Sequence, residues 1–222
     1  MKKLNVIDIG NCPYGKAWDI QKAIHAKRVA GEIPDTLILV EHPHVYTLGK
    51  NANAQHLIAS QDYLKTKGIE IYNVDRGGDI TYHGPGQLVG YPIFNLKEHK
   101  ESISWYVHTV EDVLIKMLAD YGITAGRIDK LTGVWVGNQK IAAIGMRVSR
   151  WVTMHGFALN VSTDLSLYDG IIPCGIVSKG ITRIADLVPD IQMEQVKRDV
   201  IIKFGTLFNL SLADRNQHSE QL

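Results

Sequence analysis

Arg76-Gly-Gly-Asp-Ile-Thr-Tyr-His-Gly-Pro-Gly-Gln87 is the stretch on which the reading of this 222-residue chain turns. It holds four glycines and a proline in twelve residues, between two apolar runs of strand character. Ile69, Ile71 and Val74 precede it; Leu88, Val89, Tyr91, Ile93 and Phe94 follow it. Glycine admits positive φ and close backbone approach, and proline fixes a turn. The plainest reading is a turn joining two strands. Arg76, Thr81, Tyr82, His83 and Gln87 are more polar groups than such a turn needs, and they suggest a site presented at a sheet edge.

Upstream, Leu4, Val6, Ile7 and Ile9 predict a strand that stops at Gly10-Asn-Cys-Pro13, and Tyr14 to Ala30 predicts a helix stopped by Gly31. Thr36-Leu-Ile-Leu-Val40 is a continuous apolar run of strand length, expected to be buried on both faces. It leads into Glu41-His-Pro-His-Val-Tyr-Thr-Leu-Gly49, and a short helix is expected around Ser60 to Lys67. Downstream, Ser102 to Tyr121 reads as a helix, with Ile103, Val107, Val110, Val113, Leu114, Met117 and Leu118 at three- and four-residue spacings and Gly122 as its stop. Thr132-Gly-Val-Trp-Val-Gly137 and Lys140 to Val148, joined at Gly137-Asn138, carry a hairpin pattern. Val152 to Val161 follows as a strand, Tyr168 to Gly175 as a turn-rich segment, and Met193 to about Leu210 as a last helix. Strands cluster in the middle without regular βα alternation. That predicts one α+β domain over residues 1–212 with mixed or antiparallel sheets, followed by a polar tail, 213–222.

Composition narrows the function. Basic and acidic residues number 24 and 23, a net charge of +1, so neither a nucleic-acid surface nor a polybasic membrane anchor is expected. The N-terminus does not read as a signal peptide, and no apolar run approaches the ~18 residues of a membrane span. Two cysteines cannot build a disulfide framework, so a reducing, cytoplasmic setting is the expectation.

No Gly-x-x-x-x-Gly-Lys-Ser/Thr phosphate loop or Gly-x-Ser-x-Gly elbow occurs. His42-Pro-His44 lacks the companions of a zinc site, so no metal is expected. Cys12 reads as a small buried hydrophobe. Cys174 lies in Pro173-Cys-Gly175, where a rigid backbone leaves room at the sulfur. A thiol of ordinary pKa is only about 3% thiolate at neutral pH, so a nucleophilic cysteine needs a nearby base or cation. His83, His155 and Lys140 are the candidates. A lysine ~5 Å from the sulfur would stabilise the thiolate by about 3 kcal/mol at an effective dielectric near 20, less what desolvation takes back. An exposed lysine after a turn is the alternative for Lys140.

Taken together, Arg76 to Pro92 resembles the signature of the lipoyl(octanoyl) transferases. Glu41-His-Pro with Val45-Tyr-Thr-Leu-Gly49, Lys140-Ile-Ala-Ala-Ile-Gly145, His155-Gly-Phe-Ala-Leu-Asn160 and Pro173-Cys-Gly175 are similar to further motifs of that family, in its order, over roughly residues 10 to 185. The resemblance implies the α+β fold of the biotin and lipoate protein ligases, related to class II aminoacyl-tRNA synthetases. It implies octanoyl transfer from acyl carrier protein to a lysine of lipoyl domains, those of 2-oxoacid dehydrogenase E2 subunits and the glycine cleavage H protein. It further implies a monomer with no cofactor, Cys174 as acyl-thioester nucleophile and Lys140 as its activating partner. The substrate cavity would be lined by Arg76, Gly77, Gly78, Asp79, Ile80, Thr81, Tyr82 and His83, by Ala143, Ile144 and Gly145, and by Gly156, Phe157 and Ala158. His44, Lys50 and the Thr182-Arg183 pair depart from the family pattern. An ATP-dependent lipoate or biotin ligase of the same fold, and a non-catalytic binder of lipoyl domains or acyl carriers, are the other readings.

Overall fold

A computed structural model describes residues 2–172 and 179–213. The Pro173-Cys-Gly175 motif and the tail from 214 onward lie outside the described residues.

The chain begins with strand β1 (Lys2–Asn11), helix α1 (Tyr14–Val29) and strand β2 (Asp35–Glu41). Strand β3 (Val45–Leu48), helix α2 (Gln61–Lys67) and strands β4 (Glu70–Asn73), β5 (Ile80–His83) and β6 (Gln87–Ile93) follow. Helix α3 (Ile103–Asp120) precedes β7 (Gly126–Ile128), β8 (Leu131–Val136), β9 (Gln139–Ser149) and β10 (Val152–Asn160). A short β11 (Gly180–Ile181), helix α4 (Met193–Leu207) and β12 (Leu210–Leu212) complete the described residues. Ser60 and Ser102 cap α2 and α3 by accepting the Tyr63 and Trp105 amides, and Gly68 ends α2 at φ 63°.

Among the described residues the large sheet runs β12-β1-β2-β6-β10-β9-β8-β7, with β11 also on β9, and a smaller sheet runs β4-β3-β5. Both are mixed. β1 is parallel to β2 and β12, and β3 is parallel to β4, while β6, β9 and β10 pair antiparallel.

The period of two along each strand divides the core. Leu37, Leu39, Leu88, Phe157 and Leu159 pack against α3 and α4, while Ile38, Val40, Val89, Tyr91 and Ala158 face α1. That is why β2 is apolar without alternation: it is covered on both sides. The small sheet buries Tyr46, Ile80 and Tyr82 against Leu64, Leu167 and Tyr168. No helix among the described residues is long and apolar enough to cross a membrane.

Two expectations change. The glycine-rich stretch is not one loop, because Ile80–His83 inside it is a strand paired antiparallel with β3. The last helix stops at Leu207 instead of Leu210; Asn209 turns the chain at φ 54°, and Leu210 to Leu212 become the edge strand beside β1.

Glycine at position 90 is a packing requirement. It pairs with Phe157 across β6 and β10, and a Cβ there would fall 2.2 Å from the Phe157 ring. Gly90→Ala is expected to lose about 1–3 kcal/mol by overpacking. A lower urea midpoint at unchanged slope would show it, with part of the loss recovered when Phe157 is also changed to Leu.

Candidate functional site

Strand β9 is longer than its outer neighbour. β8 pairs with it from Gln139 to Ala142 and then departs. Beyond that point the Gly77 amide donates to the Met146 carbonyl (2.8 Å), laying residues 76–79 along β9 as a glycine-rich strap. On its far side the strap meets residues 49–51: the Lys50 amide donates to the Arg76 carbonyl (2.9 Å) and the Asn51 amide to the Gly78 carbonyl (3.1 Å). Side chains would prevent this approach. A Cβ on Gly49 would lie 2.3 Å from the Gly78 carbonyl oxygen, and one on Gly145 would lie 3.1 Å from both Arg76 Cδ and the Gly77 oxygen.

Strap and strands enclose a cavity of about 580 Å³, within the range of small-molecule sites. Arg76, Gly77, Gly78 and Asp79 line it from the strap, and Ile80, Thr81 and His83 from β5. Ala143, Ile144 and Gly145 line it from β9, and Gly156, Phe157 and Ala158 from β10, with Lys140 also on its wall. Tyr82 does not line it. Its ring packs into the core of the small sheet with Tyr46 and Leu167, where it is fully buried, edge-on to Tyr168, with its hydroxyl 2.8 Å from His44 Nδ1.

The polar wall is built from fixed groups. Arg76 Nη2 donates to the carbonyl and hydroxyl oxygens of Thr47 at 2.7 and 2.9 Å. His42 Nδ1 donates to the Cys12 carbonyl (2.7 Å), so its Nε2 accepts from the Tyr91 hydroxyl (2.7 Å). Burial pushes His42 down to about 4, opposed by the Cys12 carbonyl, and it is neutral at pH 7. His83 Nδ1 bonds Gln87 Oε1 at 2.8 Å; burial, then nearby His42, holds its pKa well below the ordinary value. His155 is lowered by burial despite its bond from Nε2 to Asp75 Oδ1 (2.7 Å). These buried, neutral imidazoles are poor proton acceptors at neutral pH.

Lys140 differs. It is half-buried, its Nζ 4.7 Å from the centroid of the Trp135 ring. The register places Trp135 opposite Lys140 but Val134 opposite Ala142, so Ile141 is an extra residue. This bulge lets Ile141 and Ala142 both enter the same core and re-aims the strand at Lys140. Gly133 backs the bulge at φ 128°, its amide donating to the buried Glu111 carboxylate (3.0 Å), which also holds Arg127.

The other half of the expected dyad, Cys174, lies outside the described residues, but its flanks do not. The Ile172 amide donates to the His56 carbonyl (2.8 Å), and His56 Nδ1 bonds Asp79 Oδ2 on the cavity wall (2.5 Å). After the segment, the Thr182 amide donates to the Lys140 carbonyl (3.0 Å), and β11 takes the place beside β9 that β10 vacates.

The sequence matches the model of the lipoyl protein ligase A/B catalytic domain over residues 13–205. The chain belongs to this family. Within it, the chain is similar to an octanoyltransferase of Solibacter usitatus, 48% identical with 96% of each chain covered. A bi-partite lipoate protein ligase of Thermoplasma acidophilum has the same fold at a TM-score of 0.75 and 16% identity, covering 96% of this chain and 87% of that one. A biotin protein ligase of Aquifex aeolicus is more distant at TM-score 0.53 and 12% identity, with 94% and 69% covered. The expected α+β architecture of the biotin and lipoate ligases is therefore the observed one.

Two of the residues that depart from the lipoyl(octanoyl) transferase pattern acquire partners: His44 meets Tyr82, and Arg183 pairs with Asp186 and donates to the Thr163 carbonyl. Tyr14, Tyr91 and Val107 also line the cavity and were not foreseen there. Tyr91 was legible as an apolar strand residue, but nothing local says that its face meets His42.

Because His42 resists protonation when folded, the unfolded chain takes up a proton first as pH falls below about 6.5. Stability contributed by this residue is present above that value and lost toward pH 4, about 3 kcal/mol in all. His83 and His155 act in the same direction. Urea unfolding is expected to show falling stability across this window, with a shallower fall in His42→Gln.

Proposed function

We propose that this protein is an acyltransferase that moves an octanoyl group from acyl carrier protein to a lysine of lipoyl domains through a thioester on Cys174. Residues 1–212 act as one catalytic unit. The observation that carries the reading is the cavity in which the glycine-rich strap and Lys140 share a wall, with both flanks of Cys174 hydrogen-bonded to residues of that wall or to their partners. Full-length likeness to an octanoyltransferase supports it.

The thiolate of Cys174 attacks the donor thioester carbonyl, and backbone N–H groups near Gly145 or at the Cys174 turn stabilise the oxyanion. The C–S bond to the carrier breaks, the carrier sulfur takes a proton from Lys140 and leaves as a thiol, and the acyl group stays on Cys174. The acceptor lysine, as free amine, then attacks that thioester. Lys140 takes the proton released as the amide forms, and the Cys174 sulfur leaves. Thioester to amide runs downhill, so the transfer needs no nucleotide. Glycines 77, 78 and 145 leave room for an extended chain beside the strap.

Intact mass after incubation with octanoyl-carrier protein is expected to show a covalent octanoyl adduct, absent in Cys174→Ser. Transfer retained by Cys174→Ala would defeat this reading, and adenylate formation with ATP would replace it with a ligase. Lys140→Ala is expected to slow alkylation of Cys174 at pH 7 by at least about threefold, since the gain in thiolate is partly offset by lower intrinsic nucleophilicity. An unchanged rate removes Lys140 from the dyad.

A further inference from the structure

The residue before the strap is tied to both β9 and β10. Asp75 spans two strands: Oδ1 accepts from His155 Nε2 of β10 (2.7 Å), and Oδ2 accepts from Arg147 of β9. His155 is 1% exposed and sits at φ 57° within β10, a conformation that non-glycine residues rarely take. Its amide donates to Oε1 of the fully buried Gln21 (3.0 Å), so α1 holds the backbone that presents this imidazole. Strain kept in place by a buried partner points to function at that position.

Directly after Asp75 come the contacts that fix the strap: Arg76 to Thr47, and Gly77 to Met146. Residues 76–78 form one wall of the cavity, and Gly145 and Gly156 stand on strands of the other. The separation of the walls is therefore set where the strap is anchored. Burial alone would raise the Asp75 carboxyl, but the hydrogen bond from His155 and the charge and bond of Arg147 hold it below its ordinary value, so the anchor is ionised at neutral pH.

We propose that Asp75 is a positioning residue that sets the height of the glycine-rich strap above β9 and β10, and through it the acyl-chain length the cavity accepts. This rests on the acyl-site reading given above. Each methylene buried adds about 0.8 kcal/mol, so two carbons are worth roughly fifteenfold in affinity, and a strap free to rise loses that discrimination.

The test uses wild type, Asp75→Ala and Asp75→Asn, with S-alkyl pantetheine thioethers of eight and ten carbons as non-reacting probes in calorimetry. Steady-state transfer from octanoyl- and decanoyl-carrier protein runs alongside. Wild type is expected to separate the two chains by about tenfold. Asp75→Ala is expected to narrow the ratio to within about threefold and to raise KM for the octanoyl donor about tenfold, with kcat changed less than threefold. Asp75→Asn keeps an acceptor for His155 but loses the charge that Arg147 pairs with, and is expected between them. A folded Asp75→Ala with the wild-type ratio overturns the proposal, whatever happens to its melting temperature. Wild type that binds neither probe nor acquires an octanoyl adduct overturns the acyl-site reading and this proposal with it.

Discussion

A strand with neighbours on only one side must find partners for the amides and carbonyls along its other edge, and β9 faces that demand once β8 has turned away after Ala142. The glycine-rich strap answers it at Met146. Only a chain without side chains at Gly49 and Gly145 lies this close, and the approach that satisfies the backbone also closes the cavity. Fold and site thus share one requirement. The bulge at Ile141 belongs to the same region: it ends the regular β8–β9 ladder and turns Lys140 onto the cavity wall.

Elements with strong local patterns were legible in the sequence. The α3 stripe, the β8–β9 hairpin at Gly137-Asn138 and the doubly covered β2 all stand within a residue or two of their expected positions. What local pattern could not show was long-range pairing. Ile80–His83 became a strand because β3 offered it an edge, and that pairing sent Tyr82 away from the cavity while keeping Thr81 and His83 on it. The last helix, read as far as about Leu210, ends sooner because β1 supplies a strand partner for Leu210 to Leu212. Asp75 and His155, 80 residues apart, show no spacing that announces their contact. The cavity-lining glycines and Lys140 stood out through ordered motifs rather than periodicity.

The histidines illustrate how environment decides chemistry. As sequence, His83 and His155 were equal candidates with Lys140 to activate a thiol. Burial lowers the basicity of both, and each is committed to an acceptor, Gln87 or Asp75. Their work is to hold the walls of the cavity in shape. Lys140 stands at a half-buried bulge beside an aromatic face, on the wall of the cavity.

The parallel pairing of Lys2 with Leu210 and of Leu4 with Leu212 carries a consequence for biosynthesis. Strand β1 receives its outer neighbour only after about two hundred further residues have been made. Until then its open flank is a template for any stray extended segment, so the nascent chain needs shielding late in translation, and contacts of such long separation form slowly.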